Sequence, residues 1–145
     1  MIGRRWLAIL LAGCLVSPVL AATDQFLVEF ELWLDGQVAG TPVLIVEAGE
    51  PASLENLGEP NYRLAVTVEP TADSIMPQEM VWLHVVVEQL GPEGWDELVD
   101  SIMGAREGES TSLSVTEPDQ QPTPESASLY LQARTSRLRP GERAD

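Results

Sequence analysis

Catalysis in this chain would have to be built from one histidine, one cysteine and a stock of 23 carboxylates. His84 stands between Trp82 and Val86 in a run of strand-forming residues. A general base needs a nucleophile and an orienting partner within hydrogen-bond reach. No Ser lies in a Gly-x-Ser-x-Gly elbow to supply the nucleophile, so His84 reads as structural. One His also falls short of a usual zinc site. The carboxylates leave one catalytic alternative, a hydrolase with a glycosidase-like acid pair. Against it, a run of acids is ordinarily a solvated face. Calcium takes oxygen ligands, but Asp96-Glu97…Asp100 and Glu107…Glu109 do not match the twelve-residue loop with its Gly and terminal Glu. No Gly-rich phosphate loop opens a helix. The sequence therefore assigns no catalytic, metal or cofactor site and reads as a non-enzyme.

The cysteine belongs to the start of the chain. Met1-Ile2-Gly3-Arg4-Arg5 is short and basic, 6–20 is apolar and uncharged, and Val19-Leu20-Ala21 offers a small-residue cleavage pattern. That is an export signal over 1–21, removed from a mature chain that begins at Ala22 or one residue later. A second processing route competes with it. Leu11-Ala12-Gly13-Cys14 resembles a lipobox, in which Cys14 is lipidated and the protein becomes an outer-membrane-anchored lipoprotein. Against that route, 15–21 stays apolar where a polar tether is expected. The first route gives a periplasmic or secreted protein without a disulfide. Neither leaves a transmembrane segment in the mature chain.

Charge narrows the partners. The formal net charge is −15, and all eight basic residues are arginine. Arg4 and Arg5 fall within the leader, so the mature chain is more acidic still. Such a surface repels phosphate backbones and anionic lipid, which excludes nucleic-acid binding.

The elements that would position any site read as strands. Alternation of apolar and polar residues runs over 26–35, 62–69 and 81–87, with turn signals at Asp35-Gly36, Gly58-Glu59-Pro60 and Gly91-Pro92-Glu93-Gly94. About seven or eight short strands predict an all-β fold, an antiparallel sandwich or small barrel, as one domain over 22–137. The proline-rich stretch 117–127 reads as a mobile loop and 138–145 as a disordered tail.

One segment gives conflicting signals. Trp95, Leu98, Val99, Ile102 and Met103 fall at helical spacing. An internal similarity opposes a helix. Pro42-Val43-Leu44-Ile45-Val46-Glu47-Ala48-Gly49-Glu50-Pro51-Ala52-Ser53-Leu54 aligns with Ser101-Ile102-Met103-Gly104-Ala105-Arg106-Glu107-Gly108-Glu109-Ser110-Thr111-Ser112-Leu113 without a gap. Each copy is flanked by alternating strands, so the chain reads as two repeats, 26–69 and 81–135, each a strand, a hairpin around Gly-Glu and a strand. On that basis 98–106 is expected to be a strand.

The stretch 41–54 also resembles a segment of the bacterial secretin β-domain, where a Pro-led strand runs into a Gly turn and a second strand. Ala48 replaces that family's Asn, and the chain lacks the remaining secretin domains and pore strands. The resemblance implies a hairpin in an exported protein and no secretion activity.

Phase singles out a surface. If Phe26, Val28, Phe30, Leu32 and Leu34 face the core, Trp33 points away from it. If Val81, Leu83, Val85 and Val87 face the core, then Trp82, His84 and Val86 point away. Tryptophan left on an outer face is either covered by another segment or used as an anchor. Trp33, Trp82, His84 and Val86 are thus the candidates for a surface that takes an envelope protein partner.

Overall fold

A period of two places every second side chain on one side of a pleated backbone, so each alternating stretch can bury one face and solvate the other. The computed structural model describes residues 24–71 and 80–138. Residues 1–23, which carry the expected export signal and Cys14, residues 72–79 and residues 139–145 lie outside the described residues.

Among the described residues nine strands follow in chain order. They are β1 (Gln25–Leu34), β2 (Gln37–Gly40), β3 (Val43–Glu47), β4 (Ala52–Asn56), β5 (Tyr62–Pro70), β6 (Met80–Gly91), β7 (Gly94–Arg106), β8 (Ser110–Val115) and β9 (Leu129–Leu138). One sheet has the order β2-β1-β9-β8, with β3 also on β1, and the other has the order β4-β5-β6-β7. Every pairing is antiparallel. The two sheets face each other across one core and do not close into a barrel. The all-β sandwich expected from the alternation is the fold. No helix among the described residues is long and apolar enough to cross a membrane.

The core is made of the inward rows. Phe26, Val28, Phe30, Leu32 and Leu34 of β1 and Leu129, Leu131 and Ala133 of β9 meet Tyr62, Leu64, Val66 and Val68 of β5 and Val81, Leu83, Val85 and Val87 of β6. β2 and β3 lie end to end along one edge of β1, interrupted at Thr41-Pro42. Proline has no N–H to give to a ladder. Its carbonyl still accepts the Phe30 N–H at 2.9 Å, so β1 keeps its bond across the break.

A pseudo-two-fold relation runs through the whole register. It exchanges β1 with β6, β2–β3 with β7, β4 with β8 and β5 with β9, and it turns the order β3-β1-β9-β8 into β7-β6-β5-β4. Phe26 pairs with Val46 as Val81 pairs with Ala105, and Val28 pairs with Thr135 as Leu83 pairs with Val68. Hydrogen bonds outside the ladders repeat too. Gly49 N–H donates to Val68 O at 2.8 Å, and Gly108 N–H donates to Thr135 O at 2.7 Å. Leu90 N–H donates to Asn61 O at 3.1 Å, and Asp35 N–H donates to Ser128 O at 2.9 Å.

This geometry corrects one expectation and bears out another, the strand expected over 98–106. The Gly-Glu turns are not hairpins. β3 pairs with β1 and β4 with β5, so Gly49-Glu50 carries the chain from one sheet to the other; Gly108-Glu109 carries it back between β7 and β8. The helical spacing at 95–103 belongs to a bulged strand. Val87 opposes Val99 and Glu88 opposes Glu97, leaving Leu98 extra. The extra residue advances the phase, so Leu98 and Val99 both pack against the core while Ile102 points out and Met103 in. The equivalent bulge sits in β2, where Ala39 is extra between Val38 and Gly40.

The stretch 117–127 holds no strand, but it is folded on itself. Gln120 N–H donates to Glu117 O at 3.0 Å, and Ala127 N–H donates to Thr123 O at 3.0 Å. The Ser126 hydroxyl donates to Gln121 O. Ala127 is buried by this arrangement.

Thr135 departs from the pattern. It takes the place that Val68 holds in the other half, is fully buried, and its Oγ1 has no hydrogen-bond partner among the described residues. A buried hydroxyl without a partner costs about 1–3 kcal/mol. Thr135→Val keeps the shape and removes the hydroxyl, so the variant is expected to be more stable by about 1 kcal/mol or more. Urea unfolding midpoints at unchanged m-value measure this, and a destabilised variant would show that the hydroxyl is satisfied.

Candidate outer-face binding surface

β6 is central in its sheet, so its outward row is framed by β5 on one side and β7 on the other. The row reads Trp82, His84, Val86, Glu88. Trp82 stands between Glu69 and Gly104, His84 between Thr67 and Ile102, and Val86 between Ala65 and Asp100. The structure brings Trp82, His84 and Val86 together on one face.

Gly104 shapes this surface. A Cβ there would meet the Trp82 indole at 3.3 Å and the Met80 thioether at 3.8 Å. Both side chains therefore lie over bare backbone, the arrangement by which an aromatic covers a strand glycine. Trp82 nonetheless remains 40% exposed, and Ile102 beside His84 is 66% exposed. Met80, Trp82 and Ile102 form an apolar end of the face.

The other end is tied by charge. Arg63 Nη2 donates to Glu88 Oε2 at 2.9 Å, Nε donates to Glu88 Oε1 at 3.2 Å, and Nη1 reaches Glu55 at 3.5 Å. Its guanidinium lies 4.3 Å from the Trp95 ring centroid. Hydrogen bonding to Glu88, then the charges of Glu88 and Glu55, raises the affinity of this guanidinium for its proton above the usual range. Between the two ends, His84 Nε2 and Asp100 Oδ1 are 2.6 Å apart, both half in solvent. A pair so exposed adds little stability.

Trp33 is on the other sheet and faces the opposite way. It is half-buried between Val38 and Tyr130, and its indole N–H donates to Glu31 Oε1 at 2.6 Å. Trp33 and Trp82 thus point outward, as their phases required, but they do not share a surface.

Sequence reasoning missed Met80, Ile102 and Gly104. The alignment with Val43 puts Ile102 in a strand, but the face it takes depends on the bulge at Leu98. The signal for Gly104 is its place directly opposite Trp82, visible only once the register is known.

An open cleft of about 450 Å³ lies at one end of the sandwich, lined by Leu34, Asp35, Gln37, Val38, Glu59, Pro60 and Gln89. It contains two carboxylates and no nucleophile of the Ser–His or Cys–His kind. Among the described residues no group of three or more His, Cys, Asp or Glu side chains is placed to hold a metal ion. No family model, curated protein or solved structure matches the chain.

Proposed function

We propose that this chain is an exported, non-catalytic binding or accessory protein of the bacterial envelope, and that it works through the outer face of β5–β7 around Trp82, His84 and Val86. Export rests on the leader, which places the working protein in the periplasm or outside the cell, or on a membrane leaflet if Cys14 is lipidated. Binding rests on one observation above all. Trp82 is laid over Gly104, yet it is still 40% exposed, with Ile102 beside it. Large apolar side chains gathered on a sheet face are the usual anchors of a protein interface.

The test is a double substitution, Trp82→Ser with Ile102→Ser. Neither side chain is in the core, so unfolding free energy is expected to change by about 1 kcal/mol or less. Capture of an envelope partner by the immobilised protein is expected to be lost. Unchanged capture by a folded double variant overturns the assignment.

The end cleft favours a second reading, a hydrolase with Asp35 and Glu59 as its carboxylates. In that case Asp35→Asn with Glu59→Gln removes activity while the Trp82 variant keeps it.

A further inference from the structure

The pseudo-two-fold relation carries the apolar end of one face onto the opposite face. Leu27 stands on β1 where Trp82 stands on β6, and Val43 and Ile45 stand on β3 where Ile102 and Gly104 stand on β7. The pairings agree, since Leu27 opposes Ile45 as Trp82 opposes Gly104, and Glu29 opposes Val43 as His84 opposes Ile102. Val43 and Ile45 are both more than half exposed, and Leu27 is half-buried beside them. Each sheet therefore presents an apolar patch at the same place in its own strand pair, and the two patches point in opposite directions.

Charge selects the occupant. Glu29 and Glu47 flank the first patch with Arg134 opposite Glu29, and Glu69 and Asp100 flank the second with Arg106 opposite Met80, so these carboxylates outnumber the arginine two to one on each face. A second copy of this chain is a poor fit, since it brings a formal charge of −15 against the same sign. An apolar surface on which carboxylates predominate takes apolar anchors accompanied by arginine or lysine.

Resting on the binding reading above, we propose that the two patches are two sites for one class of partner, a protein segment with apolar anchors and cationic neighbours. One chain then bridges two such segments on its opposite faces. The sheets pack about 10 Å apart, so the core separates the two occupants.

The experiment is calorimetric titration of the full chain with a short synthetic peptide alternating arginine and leucine. Two sites per chain are expected, weakened by added sodium chloride. Trp82→Ser with Ile102→Ser is expected to leave one site, Val43→Ser with Ile45→Ser to leave one, and the four changes together to leave none. Circular dichroism establishes that each variant is folded. A single site, lost only with the Trp82 and Ile102 changes, overturns the bridging while the binding reading stands. Binding that survives all four changes is due to charge alone and overturns both. Equal binding of a glutamate–leucine peptide overturns the cationic partner.

Discussion

Phe26→Ala is expected to destabilise the domain by about 3–5 kcal/mol, the cost of emptying an aromatic site in a packed core. Phe26 is fully buried. Its ring also has the Arg137 guanidinium 5.2 Å from its centroid. That guanidinium donates to Glu107 at 2.8 Å and to Asp24 at 3.0 Å, so the ring helps fix a contact between the first strand, the corner after β7 and the last strand. Truncation opens a cavity and frees the arginine together. Domains of this kind hold roughly 5–15 kcal/mol in all, so the variant should lose a fifth or more of its stability. Urea unfolding measures it. A loss below about 1 kcal/mol would mean that the inward row of β1 is not the row that begins at Phe26.

The corners give the second large effect. Gly49 has φ of 78° and Gly108 has φ of 81°, both in the left-handed region. A side chain there costs about 1–2 kcal/mol. A Cβ at either position meets nothing within 4 Å among the described residues, so the cost is backbone conformation alone. Gly49→Ala and Gly108→Ala are each expected to destabilise by that amount. The corners lie in different halves, so the double variant should show the sum, about 2–4 kcal/mol. Thermal and urea unfolding test this. One sensitive corner and one tolerant corner would break the pseudo-equivalence; a double variant as stable as the parent would falsify the left-handed geometry of both.

The two halves of this behaviour were unequally visible in the sequence. β1, β5, β6 and β9 could be read because each buries one face without interruption, and alternation records that directly. β7 could not be read by spacing, because the extra residue at Leu98 shifts its phase by one and mimics a helical repeat. The alignment with the first repeat carried the strand assignment instead. β2 was invisible, since Gln37-Val38-Ala39-Gly40 has almost nothing apolar to alternate. The corners looked like hairpins because a glycine turn between strands is the same object locally whether or not those strands pair. That choice is made by partners distant in sequence. The outward phases of Trp33 and Trp82 were legible for the same local reason as the core rows. Their separation onto opposite sheets was not, because sheet membership is also decided at long range. Of the surface proposed for binding, Trp82, His84 and Val86 were readable, while Gly104 and Ile102 depended on register.

The pairing of β1 with β9 has a consequence in time. β4 to β7 pair with their neighbours in the chain and close only short connections. β1 takes its central partner from the other end, and Asp24 bonds to Arg137 across 113 residues of sequence. Closing so long a loop is the slow, entropically costly step of assembly. A chain that emerges with its N-terminus first can build one sheet early, but its opening strand waits for the last one to complete the other. Threaded through a translocation pore, such a chain would stay unfinished until its final strand had cleared. Folding would then be reserved for the far side of the membrane.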